Sequence, residues 1–388
     1  MSIGLKSLAA GALIVLAIAA PAASSFAQDA PVPTQNRRAP GAVFAMTNRA
    51  RNNEVIAFSR AANGRLTETG RFSTGGSGIG VDFDTQHGLV LSPDHRYLYA
   101  ANPGSDDVSV FRVEGSELDL IQSVYAGDEP LSIARFGNLL YVLDGSVAGN
   151  QITGFTVATN GTLTPLPNSN KALSSPIAVP GDIVFSPDGS ELLVTQKVAS
   201  TIGFTIDVFR IGADGLPSDP VPNQSSGPRP FSAAFDTAGR LFVVESGLPV
   251  FNNAGVSSYT LNPSASALVP ITGSAKNGQT DGCWIVITEN QRYAYTANFI
   301  SGTIASYRIF SNGTVALING VAAPEGDKSQ PTDLAFSTGS RYLYNLLRGT
   351  GGVAAYRVEG NGSLTAIGVF GVGLGLPINN GASGLAAY

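Results

Sequence analysis

Residues 227–246, GPRPFSAAFDTAGRLFVVES, place Arg229 sixteen residues ahead of Glu245, with a glycine-proline turn and two short apolar runs around them. An arginine fork binds carboxylates and oxyanions through two parallel hydrogen bonds. A carboxylate beside it can move a proton. The pair could therefore hold an acid group or a developing oxyanion while a bound water is activated, with Glu245 catalytic and Arg229 binding the ligand. It could equally neutralise itself as a salt bridge between adjacent strands. His87, in DTQHGLVLSPD, adds an imidazole suited to acid or base work near neutral pH, or is a histidine of a solvated loop. His95, in a polar turn, reads as solvent-facing. Cys283-Trp284 opens an apolar run, where Trp284 is either a packing residue or an indole on which a ligand stacks. The acidic pairs Asp82/Asp84 and Asp106/Asp107 have the oxygens a hard cation needs, but such residues mostly satisfy turns. No metal and no cofactor is expected. With Cys283 the single cysteine, an internal disulfide and the spacing of zinc or c-type haem motifs are excluded.

The termini and the charge narrow the setting. MSIGLK followed by SLAAGALIVLAIAAPAA and Ser25-Phe26-Ala27 gives a basic start, a short apolar core and a small-x-small cleavage signal. Residues 1–27 are read as a signal peptide, residues 28–40 as a flexible proline-rich linker, and residues 41–388 as a single domain in the periplasm or outside the cell. No second long apolar stretch follows, so no membrane contact is expected after cleavage. The formal charge of −5, with no cluster of lysine or arginine, argues against a nucleic-acid partner.

The elements that must position these side chains come from a repeat. LSPDHRYLYAAN begins at Leu91, and related segments begin at Ala134, Phe185, Phe235, Ile287 and Phe336, in steps of 43 to 52 residues. Each unit reads as an apolar strand, a polar turn, a Tyr/Leu/Val strand, a variable loop, an alternating strand such as DVSVFRV, a turn and a fourth strand. The last turn is often Asn-Gly, as in ANGRLTE, TNGTLTP, SNGTVAL and GNGSLTA, which supplies the positive φ of a tight hairpin. GAVFAMTN belongs to an earlier unit that lacks its first strand, making seven. Four antiparallel strands every 50 residues or so is the pattern of a propeller blade. The C-terminal NNGASGLAAY resembles a first strand with nothing after it. The expected fold is therefore all-β: a seven-bladed β-propeller, its ring closed by the C-terminal strand completing blade one.

This grammar, SPDxRYLYAAN followed by DVSVFRV, together with the blade number, is similar to the seven-bladed β-propeller lactonases, the family of 6-phosphogluconolactonase and carboxymuconate cyclase. The resemblance covers essentially the whole chain after the leader. It implies a site at one mouth of the central channel, built from a histidine on one blade's inner strand, an arginine and a glutamate on the next blade, and an arginine on the one after. The histidine position falls on Gly181, the first arginine on Arg229, the glutamate on Glu245 and the last arginine on Phe299. His87 holds on blade two the place that Gly181 holds on blade four. The resemblance implies a monomeric, exported lactonase-like hydrolase opening a lactone ring, with a small lactone or carboxylate as ligand. The alternatives are a catalytically inactive propeller that binds a ligand or protein, and a muconate-type cycloisomerase.

Overall fold

Each repeat unit folds into one antiparallel sheet, and seven sheets form the ring. The computed structural model describes residues 40–388 other than 82–83, 147–149, 199–203 and 380. The expected signal peptide, and all of the expected linker except Pro40, lie outside the described residues. The first strands of blades one to seven are Leu385–Ala387, Leu89–Leu91, Pro130–Phe136, Val179–Phe185, Pro230–Phe235, Gly282–Ile287 and Pro331–Phe336. Each packs against the next, and blade seven's against blade one's. Blade three departs from the four-strand pattern, because Lys171–Ala172 also pairs with its third strand.

Alternating apolar residues place a layer of large side chains between neighbouring blades. Trp284, Tyr295 and Tyr307 of blade six and Leu343 of blade seven, for example, share one buried cluster with Phe231 of blade five. A recurring polar contact fixes the spacing of the blades. The second-strand tyrosines Tyr99, Tyr141, Tyr295 and Tyr344 are fully buried, and each hydroxyl donates to a glycine carbonyl in the hairpin turn of the next blade: Gly161 at 3.2 Å, Gly215 at 2.7 Å, Gly362 at 2.9 Å and Gly64 at 3.0 Å. Gly161 shows why the turn needs glycine. Its φ is +82°, and a Cβ there would run into the ring of Tyr97.

The ring closes as the sequence pattern predicts. Val43, Phe44 and Ala45 pair with Ala387, Ala386 and Leu385, so blade one is built from both ends of the described chain. The terminal Tyr388 stacks on His95, with ring centroids 4.7 Å apart. His95 is thus half-buried against the chain end rather than free in solvent.

One irregularity prepares the site. In blades three to seven the pairing of first and second strands slips near the start of the first strand, between Pro130 and Ser132, Pro180 and Asp182, Pro230 and Ala233, Gly282 and Trp284, and Pro331 and Leu334. Such slips re-aim side chains. Ser132, Asp182, Ser232 and Asp333 emerge here and tie neighbouring blades together along the axis.

Candidate functional site

Between the last strand of blade one and the first of blade two, residues Thr85-Gln86-His87 cross the channel. Thr85 Oγ1 donates to the Leu131 carbonyl of blade three at 3.0 Å, and the Trp284 indole of blade six donates to the Thr85 carbonyl at 3.2 Å. The Gln86 amide N–H donates to the Gly181 carbonyl of blade four at 3.3 Å. Its carboxamide pairs with the backbone of Ile285, accepting from the amide at 3.0 Å and donating to the carbonyl at 3.1 Å. A segment bonded to blades three, four and six forms a cross-bar. Beneath it lies a cavity of about 560 Å³ with Gln86 and His87 at its inner end and Pro93, Pro187 and Thr237 at its mouth.

His87 adopts φ +63°. Its Nδ1 lies 2.8 Å from the Asp182 carboxylate, and its ring is 35% exposed. Asp182 is fully enclosed. It also accepts from the Ser132 hydroxyl at 3.0 Å and from the backbone amides of Ile183 at 2.9 Å and Ala233 at 3.1 Å. Four donors to one carboxylate hold it rigidly, and it in turn holds the imidazole. Two opposed influences act on the histidine. Desolvation disfavours the imidazolium, whereas the charge and hydrogen bond of Asp182, with a further charge from Asp333, favour it. The net pKa is raised above the ordinary 6.5. The other ring nitrogen, Nε2, faces the Gln86 amide nitrogen at 3.2 Å. Because Ile285 fixes the orientation of that amide, its N–H can meet only an unprotonated Nε2. The resting imidazole therefore carries its proton on Nδ1 and a lone pair on Nε2. Removing the Gln86 donor takes away a contact that favours the neutral ring. Gln86→Met is expected to move the His87 titration to higher pH in an NMR titration of its ring protons, and a shift to lower pH contradicts this arrangement.

The four residues singled out by sequence do not converge. His87 and Trp284 meet the same cross-bar, but Trp284 is fully buried, with its ring centroid 5.2 Å from that of Phe231 and 6.4 Å from that of Phe299. It packs. Arg229, at φ +57° and half-buried, lines no part of the cavity. Its charge acts on Asp281, and its buried Nε has no hydrogen-bond partner among the described residues. Nearby, the enclosed Lys197 reaches Asp84 at 2.6 Å and sits 4.4 Å from the centre of the Phe231 ring.

Glu245 points into blade five. Its carboxylate accepts from the hydroxyls of Ser257 and, at 2.8 Å, Ser274, and among the described residues no ion pair joins it to Arg229. The reason lies in the repeat. Glu245 ends a second strand opposite Pro230, and the same place in four other blades is taken by Asn102, Asp144, Gln196 and Asn298, whereas blade seven has Leu347 there. The four polar residues are fully buried and bonded to a third-strand side chain, respectively Ser109, Thr153, Asp207 and Thr303. Glu245 is one of a series of ties within the blades.

Burial, only partly offset by the two serines, pushes the Glu245 carboxyl up to about 7 from 4.5. The sign follows from linkage. Above the unfolded pKa the folded state holds the extra proton, so this stabilisation is complete below about pH 4.5 and is lost as pH rises through about 7, a span of roughly 3 kcal/mol. The uncharged Glu245→Gln variant lacks that loss. The wild-type melting temperature should fall relative to the variant between about pH 5 and pH 8, and parallel melting curves contradict the assignment.

Sequence reasoning missed Asp182 and Asp333. They stand at the same register, three residues before Phe185 and Phe336, and each accepts from a backbone amide of the next blade, Ala233 and Gly384 respectively. A carboxylate inside an apolar inner strand, repeated in two blades, is a visible signal. The positions that the resemblance assigned to a histidine and an arginine are otherwise filled. A Cβ at Gly181 would collide with the Phe231 carbonyl, and the Arg348 guanidinium of blade seven lies 4.6 Å from the Phe299 ring centre.

The seven blades surround an axial cavity with a histidine-aspartate pair at its inner end. The chain belongs to the family described as "Lactonase, 7-bladed beta-propeller", whose model matches residues 43–179 and 223–333, more than half of the sequence. No curated protein matches the sequence. Solved structures share the fold at low identity. A protein from Lactobacillus plantarum has 16% identity and a TM-score of 0.71, over 90% of this chain and 99% of that one. A candidate 6-phosphogluconolactonase from Bacteroides uniformis has 16% identity and a TM-score of 0.69 over the same shares. A periplasmic gluconolactonase from Pseudomonas aeruginosa has 15% identity and a TM-score of 0.66, over 89% and 98%. Among the described residues no helix is long and apolar enough to cross a membrane.

Proposed function

We propose that this propeller is an exported hydrolase that opens a lactone ring in the axial cavity, with His87 as general base. The observation that carries the reading is the His87–Asp182 pair, 2.8 Å apart, with the imidazole partly exposed at one end of a cavity lined mainly by apolar side chains. Asp182 fixes the tautomer that leaves Nε2 basic and stabilises the imidazolium formed when the ring takes a proton. The step requires the Gln86 amide, seated on Nε2 in the resting site, to release that nitrogen as the substrate enters: a water then takes its place, is activated by Nε2 and attacks the lactone carbonyl; the C–O ring bond breaks, and the proton passes from the imidazolium to the departing alkoxide. The product is a hydroxy acid. Export is supported by the leader-like residues 1–27 and by the periplasmic setting of the Pseudomonas aeruginosa neighbour.

The test is a pH-indicator screen of the mature protein against aliphatic and sugar lactones, since ring opening followed by ionisation of the acid releases a proton. Turnover that is lost in His87→Asn and kept in Arg229→Ala supports the cavity site. The reverse pattern moves the chemistry to the Arg229–Asp281 side. A second reading, a propeller that binds its ligand without turnover, is favoured by Gly181 and Phe299 at the family's histidine and arginine positions. It predicts binding with no proton release for any lactone.

A further inference from the structure

The cavity walls bear on what such a site accepts. The partly exposed Val90, Leu91, Val184, Ala234, Val286 and Ile287 line its length. Gln86 and His87 stand at the inner end, while Ser186, Asp236 and Thr237 stand at the mouth. Asp236 is committed to Arg240, at 2.6 Å. Among the described residues of the lining Arg135 is the one lysine or arginine, and it lies against the Tyr99 hydroxyl between blades two and three. A sugar lactone carries a hydroxyl on nearly every carbon, and each would lose its water against these walls without gaining a partner, a loss that polar-group burial makes severe. A phosphorylated lactone needs a cluster of cations, and no such cluster stands among the described lining residues.

We infer that the site takes lactones bearing an apolar alkyl substituent, with the ring at His87 and the chain laid along the valine, isoleucine and alanine wall. This deepens the hydrolytic reading above and rests on it. Volume agrees with chemistry: about 560 Å³ lies within the range of small-molecule pockets, and the apolar side chains along the wall gain from each methylene that covers them.

The experiment uses the mature protein and a series of γ-lactones of increasing chain length, from butyrolactone to dodecalactone, with gluconolactone beside them. Turnover is followed by proton release. Binding is followed by the fluorescence of Trp284, the sole tryptophan, whose indole bonds to the cross-bar. The expected result is a kcat/KM that rises about three- to fourfold per added methylene until the cavity is full, with gluconolactone far below the long-chain members. Ala234→Phe, which narrows the wall, should flatten that gradient while its melting temperature reports that the fold is intact. Turnover that is flat with chain length, or highest for gluconolactone, overturns the inference and leaves the hydrolytic reading standing. If no lactone turns over, the hydrolytic reading fails, and straight-chain alcohols titrated against Trp284 fluorescence decide the cavity's preference. Affinity rising with chain length supports an apolar site, and no dependence overturns it.

Discussion

His87→Asn is expected to lower lactone kcat/KM by about a hundredfold to ten-thousandfold, the usual worth of a positioned general base. Asparagine suits the position because it tolerates the left-handed backbone at φ +63° better than most residues, so the loss reports the imidazole rather than the turn. In the wild type only the neutral ring is a base. Activity should therefore rise with pH through a pKa above 6.5 and vanish on the acid side, because the Asp182 carboxylate outweighs the desolvation that opposes the imidazolium. Asp182→Asn separates orientation from simple damage. It removes the charge that holds the pKa up, so the acid limb of the profile should move to lower pH even as kcat falls. A variant that was merely destabilised would lose rate without moving the limb. If His87→Asn keeps its rate within about twofold, the base lies elsewhere.

The pattern of apolar strands and Asn-Gly turns was enough to count the blades and to assign the C-terminal strand to blade one, because period-2 alternation and turn chemistry are local properties of the chain. The site was harder to read for two physical reasons. Arg229 and Glu245 were linked by their separation along the chain, but the position of Glu245 is set by the blade. Comparing the ends of YLYAAN, LYVLD, LLVTQ, LFVVE and YAYTAN reveals a polar residue at the same place in five blades, each tied to a third strand. The cross-bar has no periodicity at all. Thr85 and Gln86 find their partners at Leu131, Gly181 and Ile285, up to 199 residues away, and nothing in the local sequence announces such contacts. His87 carried a visible signal in its alignment with Gly181, and its partner Asp182, the residue beside that glycine, carried one in the carboxylate that recurs at Asp333 within an apolar inner strand, but nothing local joins the two across 95 residues.

Deleting residues 380–388 should be the most damaging change to the fold that leaves every other strand in place. The deletion removes the inner strand of blade one and with it the pairing of Leu385, Ala386 and Ala387 to Ala45, Phe44 and Val43. It also removes the bond from the Gly384 amide to Asp333 at 3.0 Å, the Arg60 bond to the Tyr388 carbonyl at 3.0 Å, and the Tyr388 hydroxyl bond to Gly115 of blade two at 2.8 Å. Each hydrogen bond contributes about 1 kcal/mol net, and burial of Leu385 about 1.5–3 kcal/mol, so the loss is on the order of 5 kcal/mol or more. At roughly 2 °C per kcal/mol for a large domain, the melting temperature should drop by about 10 °C. The kind of damage matters as much as its size. Gly41–Met46, all buried in the closed ring, would become an open apolar edge, which invites pairing between molecules. The truncated protein should therefore aggregate as it is warmed, whereas Tyr388→Ala, which keeps the strand and loses only the terminal ring and its contacts with His95 and Gly115, should melt lower but stay soluble. Light scattering during a thermal melt distinguishes the two. A truncated protein that remains a soluble monomer with an unchanged melting temperature would mean that the blade interfaces hold the ring without the C-terminal strand.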